Sequence, residues 1–219
     1  MGFVRELGAA GALALGQPGR VAAWPAHERA QGLAWLPLGG LLVGGIAVVV
    51  MSLVERLGST AGAALLGAAV LGVAQGWPPR PLRIATGLIE ALALLAAAPA
   101  VRTTAVVVAP MLARWACVVQ CYGGAPSGGV TGLATLAGRA RFREFAIASV
   151  TALGTSLAML DAVGLAVAVA CALVTMTVRV VAYRRTGGIG DEALDATSAL
   201  VETSALVLLV SIGLVLDVR

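Results

Sequence analysis

Arg114 stands in an otherwise apolar stretch, Ala109-Pro110-Met111-Leu112-Ala113-Arg114-Trp115. A guanidinium inside a hydrophobic segment costs about 2.5–3.5 kcal/mol on insertion scales, so it must face a cavity or a partner. As a binding group it would grip a phosphate or carboxylate in bidentate fashion. As a structural group it would pair with Glu90 or Glu202, which also lie in apolar stretches. A second cluster reads Arg184-Arg185-Thr186-Gly187-Gly188-Ile189-Gly190-Asp191-Glu192, with Asp195 and Glu202 downstream. Two cations, a glycine run near a helix start and several acids could cradle a phosphate and a divalent ion. Asp191 and Asp195 are four apart and share a face if helical. The same features also describe an ordinary charged turn between helices. Cys117 and Cys121 lack a His or a second Cys pair and read as small apolar helix residues. His27 reads as a solvated loop residue, Tyr122 to Gly129 as a loop, and Arg139, Arg141 and Arg143 as a basic strip facing headgroups. The sequence has no Walker loop, HExxH or GxSxG.

These groups must be positioned by a chain poor in charge. Of 219 residues, 59% are hydrophobic and 12% charged, and the mean hydropathy is +0.96. Soluble domains are about half apolar and a quarter charged, so a water-facing surface, disorder and a disulfide scaffold are excluded. The expectation is an all-α integral membrane protein forming one domain over 1–219. Seven apolar segments are read, at 35–54, 60–76, 84–99, 104–122, 145–160, 162–183 and 198–216. The third and fifth are short, which leaves a six-span count with one re-entrant piece open. Gly40 and Gly44, like Gly58 with Gly62 and Gly72 with Gly76, are small-xxx-small pairs suited to close packing. Residues 1–32 read as a cytoplasmic or interfacial segment, with Leu7 to Leu15 lying on the membrane rather than forming a cleaved signal.

All fifteen basic residues are Arg. Ten fall on one side of the predicted bundle, with the amino terminus and loops 77–83, 123–144 and 184–197, against three on the other. That asymmetry predicts a multi-pass protein of the cytoplasmic (inner) membrane with its amino terminus and active face in the cytoplasm. The net charge of +4 is modest and implies no nucleic-acid partner.

Three stretches, in order, resemble the cobalamin synthase family, the adenosylcobinamide-GDP ribazoletransferases of vitamin B12 assembly. Trp35-Leu36-Pro37-Leu38-Gly39-Gly40-Leu41-Leu42-Val43-Gly44 is similar to the family's "FPLVGLLIG". Pro110 to Val119 resembles its "P-x-L-x-R-W-A-M-V" helix, and Arg184 to Glu202 its closing "RR-x-GG-x-TGD-x-x-GA-x-x-E-x-x-E". The resemblance spans about residues 30–210. It implies a membrane enzyme joining adenosyl-GDP-cobinamide to α-ribazole with release of GMP, assisted by Mg²⁺. It also implies that Arg114, Arg184, Arg185, Gly187, Gly188 and Gly190 bind phosphate, with Asp191 and Glu202 as metal ligands.

The chain departs from the family at several places. The Thr before Gly190 is missing, Asp195 stands at a family Gly, and Ala199 replaces the first closing Glu. Where the family has "GG-x-H-x-DG-x-AD-x-x-DG", this chain reads Gln75-Gly76-Trp77-Pro78-Pro79-Arg80-Pro81-Leu82-Arg83, with no acid and no His. Its first Asp is Asp161. The "KDSR-x-G-x-x-G" element is read as absent. Three readings stay open: a synthase, a catalytically degenerate paralogue that binds a related ligand or steadies an intact synthase, and a small-molecule transporter. A homo-oligomer is a further expected association.

Overall fold

The computed structural model describes residues 26–74, 81–130 and 132–217, and all of its extended elements are helical. The readings of Leu7 to Leu15 and of residues 75–80 lie outside the described residues. Helix α1 (Ala26–Gly32) runs through a 3-10 turn (Leu33–Trp35) into α2 (Leu36–Arg56), followed by α3 (Thr60–Ala74), α4 (Pro81–Ala96) and α5 (Pro99–Cys121). A loop with a 3-10 turn at Gly132–Leu136 leads to the helical run Phe142–Thr186, and the chain ends in α8 (Asp191–Asp217). The run is two helices, α6 (142–160) and α7 (162–186), because Asp161 breaks it at φ 50°, ψ −139°. A Cβ on Gly164 would collide with the Ser156 carbonyl. Eight residues of straight helix would hold those positions about 12 Å apart, so the chain folds back on itself at Asp161.

The seven helices after α1 match the seven predicted segments in order, with shifted ends. The largest shift is in α8, which begins at Asp191 rather than near 198. Asp191 and Glu192 in its first turn favour that start, since carboxylates complement the positive end of a helix. Most of the predicted loop 184–197 is therefore helix. Four helical runs are long and apolar enough to cross a membrane: Arg29–Arg56, Pro99–Cys121, Phe142–Thr186 and Asp191–Gly213.

Helix α5 is the centre of the bundle and packs against α2, α8 and the α6–α7 hairpin. Every residue from Val108 to Cys121 is buried. Its contact with α2 is made by glycine. A Cβ on Gly40 would stand 2.5 Å from the Pro110 carbonyl oxygen, and one on Gly44 would stand 2.6 Å from that of Val106. Pro110 has no N–H, so Val106 loses its usual intrahelical donor. Gly44 thus lets the backbones close at the turn where α5 is least regular.

The ends of the helices separate into two faces. One holds α1, the start of α4, the end of α5, residues 122–141 and the α7–α8 junction. Ser127 N–H donates to Ile189 O at 3.0 Å, and Ile189 N–H to Ala125 O at 2.7 Å. At the other face, Arg102 Nη1 donates to Glu55 Oε1 at 2.7 Å and Nη2 to Ala97 O at 2.9 Å, clamping the α2–α3 turn to α5.

Gly44→Ala should lower stability by about 1–3 kcal/mol through overpacking. Gly45→Ala, with open space around its Cβ, should be neutral or gain roughly 0.5–1 kcal/mol from helix propensity. Thermal unfolding of the two variants in detergent checks this, and equal melting points would refute the close α2–α5 contact.

Candidate functional site

The α7–α8 junction is built by its glycines. Gly187 ends α7 in the left-handed region, φ 72°, and its N–H reaches Tyr183 O at 3.1 Å. Gly188 lies flat against the 125–127 loop, where a Cβ would meet Ala125 O at 2.7 Å and Ser127 N at 2.9 Å. That contact permits the two backbone hydrogen bonds between Ser127, Ile189 and Ala125. Gly190 then gives way to Asp191 and α8.

Between this junction, the Ser127-Gly128-Gly129 turn and the start of α4 opens a cavity of about 720 Å³. Its charged lining is Arg83 and Arg185 against Asp191, Glu192 and Asp195. Asp191 Oδ1 accepts the Ala134 N–H at 3.4 Å, tying the loop to α8. Arg83 Nη2 lies 3.9 Å from Asp195 Oδ1. The other terminal nitrogen of Arg83, Nη1, is buried without a hydrogen-bond partner.

Beneath the cavity lies a buried charge cluster. Thr203 Oγ1 donates to Glu90 Oε1 at 2.7 Å. The charges of Glu90, Arg114 and Arg83 all act on Glu202, and that of Arg83 also acts on Glu90. Arg83 therefore belongs to both layers. It faces the acids of the cavity and balances carboxylates inside the bundle.

Of the residues singled out by sequence, Arg185, Gly190 and Asp191 line the cavity. Gly187 and Gly188 shape its wall, while Arg184 is exposed outside it. Arg114 and Glu202 are buried below and do not line it. Asp191 and Glu202 are eleven residues apart on one continuous helix, about 16 Å by helical rise. The two candidate metal ligands therefore lie in different layers, Asp191 at the cavity and Glu202 in the buried cluster. Among the described residues no three His, Cys, Asp or Glu side chains converge to hold one.

The sequence pattern does not single out Arg83, which counts there only as a loop charge, and it reads Ser127 as part of a loop without placing it at a cavity. A signal for Arg83 does exist. Arg83, Thr86 and Glu90 are spaced i, i+3, i+7, and Thr86 and Glu90 are on the buried face of α4.

Apolar helices of membrane-spanning length around a polar cavity at one end define an all-helical integral membrane protein with its site at the bundle mouth. The chain belongs to the cobalamin-5-phosphate synthase family, a family of cobalamin biosynthesis, whose model matches residues 83–210, more than half of the chain. That match takes in the charged lining of the cavity and the buried cluster. No curated protein and no solved structure matches the chain.

If Gly188 sets the wall, Gly188→Ala should cost about 1–3 kcal/mol there. The amides of Ser127 and Ile189 should then exchange roughly five- to a hundredfold faster, with α5 unchanged. Hydrogen-exchange mass spectrometry reads this directly, and unchanged exchange would overturn the assignment.

Proposed function

We propose that this protein is a membrane-embedded cobalamin synthase that joins adenosyl-GDP-cobinamide to α-ribazole with release of GMP. The observation that carries the reading is the cavity itself, which sets two arginines and three carboxylates against a glycine-rich turn. Joining the two substrates requires a ribosyl hydroxyl to attack phosphorus, forming one P–O bond while the bond to GMP breaks. In the protein's part of that work, Arg83 and Arg185 hold phosphoryl oxygens and stabilise the charge gathered in the transition state. The N–H groups of the glycine-rich turn offer further donors without side-chain bulk.

The charge balance of the cavity bears on Mg²⁺. Two guanidiniums against three carboxylates leave a net negative lining, which repels a diphosphate unless a cation enters with it. Mg²⁺ is commonly held by one or two carboxylates plus substrate phosphates, and Asp191 and Asp195, one turn apart at the mouth of α8, fit that role. The chemistry such an ion supplies is neutralisation of the diphosphate. Glu202 has no part in it, and Arg114 serves the buried cluster that seats Arg83. We also read the seven helices as seven spans, with the amino terminus and the cavity face in the cytoplasm, on the strength of the arginine asymmetry.

Purified protein in detergent, given both substrates and Mg²⁺, should form the cobalamin and GMP. Asp191→Asn should lower kcat by about a hundredfold or more, as for loss of a group that stabilises transition-state charge. Arg83→Gln should raise KM for the diphosphate substrate. Absence of turnover at ample Mg²⁺ would overturn the enzyme reading. Retained substrate binding would then favour a non-catalytic member of the family. Movement of substrate across proteoliposomes without Mg²⁺ would point to a transporter.

A further inference from the structure

On the same face, a second cavity of about 660 Å³ opens between α1 and the start of α6. Its wall carries Arg139, Arg141 and Arg143 with one acid, Glu144, while Ala30 and Gln31 close the α1 side. The backbone arranges the arginines. Ala140 pairs with Tyr122 in an isolated bridge and is buried. Arg139, at the end of the turn before it, and Arg141, at the start of α6 after it, are both exposed and line the cavity. Arg143 follows in the first turn of α6, whose positive end adds to the same field.

Glu144 does little to offset the charge of Arg139 and Arg141. Glu144 is buried, with one oxygen accepting the Arg141 N–H at 2.8 Å and the other 4.0 Å from Arg143 Nη1. Among the described residues neither Arg139 nor Arg141 has an ion-pair partner. Arg139 and Arg141, neighbours on one wall, repel each other, and the natural relief is an anion whose oxygens match their forked donors. Phe142, between Arg141 and Arg143, is 69% exposed. An apolar ring flanked by cations suits the boundary between headgroups and acyl chains.

We propose that this second cavity is a phosphate-ester site, separate from the first and independent of the reading given to it. The phosphate is carried either on an anionic lipid headgroup, as the setting of Phe142 favours, or on a soluble ester. The two cavities share the 122–141 loop as a common wall. Gly138, at φ 72°, donates its N–H to Cys121 O at 2.9 Å and holds that loop to the end of α5.

The test uses the full-length protein in detergent, with phosphatidylglycerol, phosphatidylcholine and inorganic phosphate as probes and native mass spectrometry as the readout. Wild type should bind phosphatidylglycerol in preference to phosphatidylcholine if the ligand is a lipid. Inorganic phosphate should bind with no lipid preference if it is a soluble ester. In either case each single Arg→Gln change should weaken the binding roughly fivefold, and R139Q/R141Q/R143Q about a hundredfold. The charge-retaining R139K/R141K/R143K variant should bind far better than the Gln variant and shows that the loss is not misfolding. Equal binding by wild type and R139Q/R141Q/R143Q would overturn the proposal. So would an equal loss in R184Q, which alters an exposed arginine of the same face outside both cavities. Neither readout depends on turnover, so failure here and failure of the synthase reading are distinct results.

Discussion

A helix buried on every side can hold a guanidinium only where carboxylates are brought to meet it. Arg114 imposes that condition on this bundle, because α5 is buried without interruption from Val108 to Cys121. Glu202 on α8 meets it, at 1% exposure, and Glu90 on α4, at 2%, joins the same cluster through Arg83. Removing one partner from such a buried cluster costs about 3–5 kcal/mol, since the remaining charge is left stranded in a medium of low dielectric. The positions of α4 and α8 around α5 are therefore tied to charge as well as to shape. Shape does the rest on the opposite side, where Gly40 and Gly44 let α2 close on the backbone of α5.

Arg83 carries this internal constraint outward to the cavity. Its charge acts on Glu90 and Glu202 below, while one of its nitrogens approaches Asp195 above. A group held by the interior in this way can present a fixed positive field to a ligand without first reorganising. The junction opposite is fixed by backbone, through Gly187, Gly188 and the paired bonds between residues 125, 127 and 189. The cavity thus has one wall set by buried charge and one set by glycine packing, both on helix ends rather than on free loops.

How much of this the sequence discloses depends on the range of the interaction. The seven segments and the break at Asp161 are legible, because hydropathy and turn signals are local. So are Arg185, Gly190 and Asp191, which lie within seven residues of one another at a helix junction. The approach of Arg83 to Asp195 is not legible, since it joins positions 112 residues apart through the packing of α4 on α8. The separation of Asp191 from Glu202 follows from helical rise alone, but only once 191–217 is known to be one helix. A charged stretch opened by a glycine run reads as a loop because Gly and Asp are turn formers, whereas Asp and Glu are also favourable in a helix's first turn.

The two cavities of the polar face take opposite routes to the same kind of ligand. In the first, three carboxylates face two arginines among the described residues, and in the proposed reading a phosphate enters together with a cation that offsets them. In the second, Arg139 and Arg141 face one largely occupied carboxylate among the described residues, and the proposed phosphate is accepted directly. A site that requires a cation is conditional on the metal supply, whereas a site that does not is governed mainly by ionic strength. The loop between them is one continuous piece of chain, held at Gly138 and at Ser127. On the proposed reading, such a division suits a diphosphate reaction at a membrane surface. The reacting phosphate must meet a compensating charge that can be rearranged as bonds change, while an anchoring phosphate needs a fixed charge that stays in place.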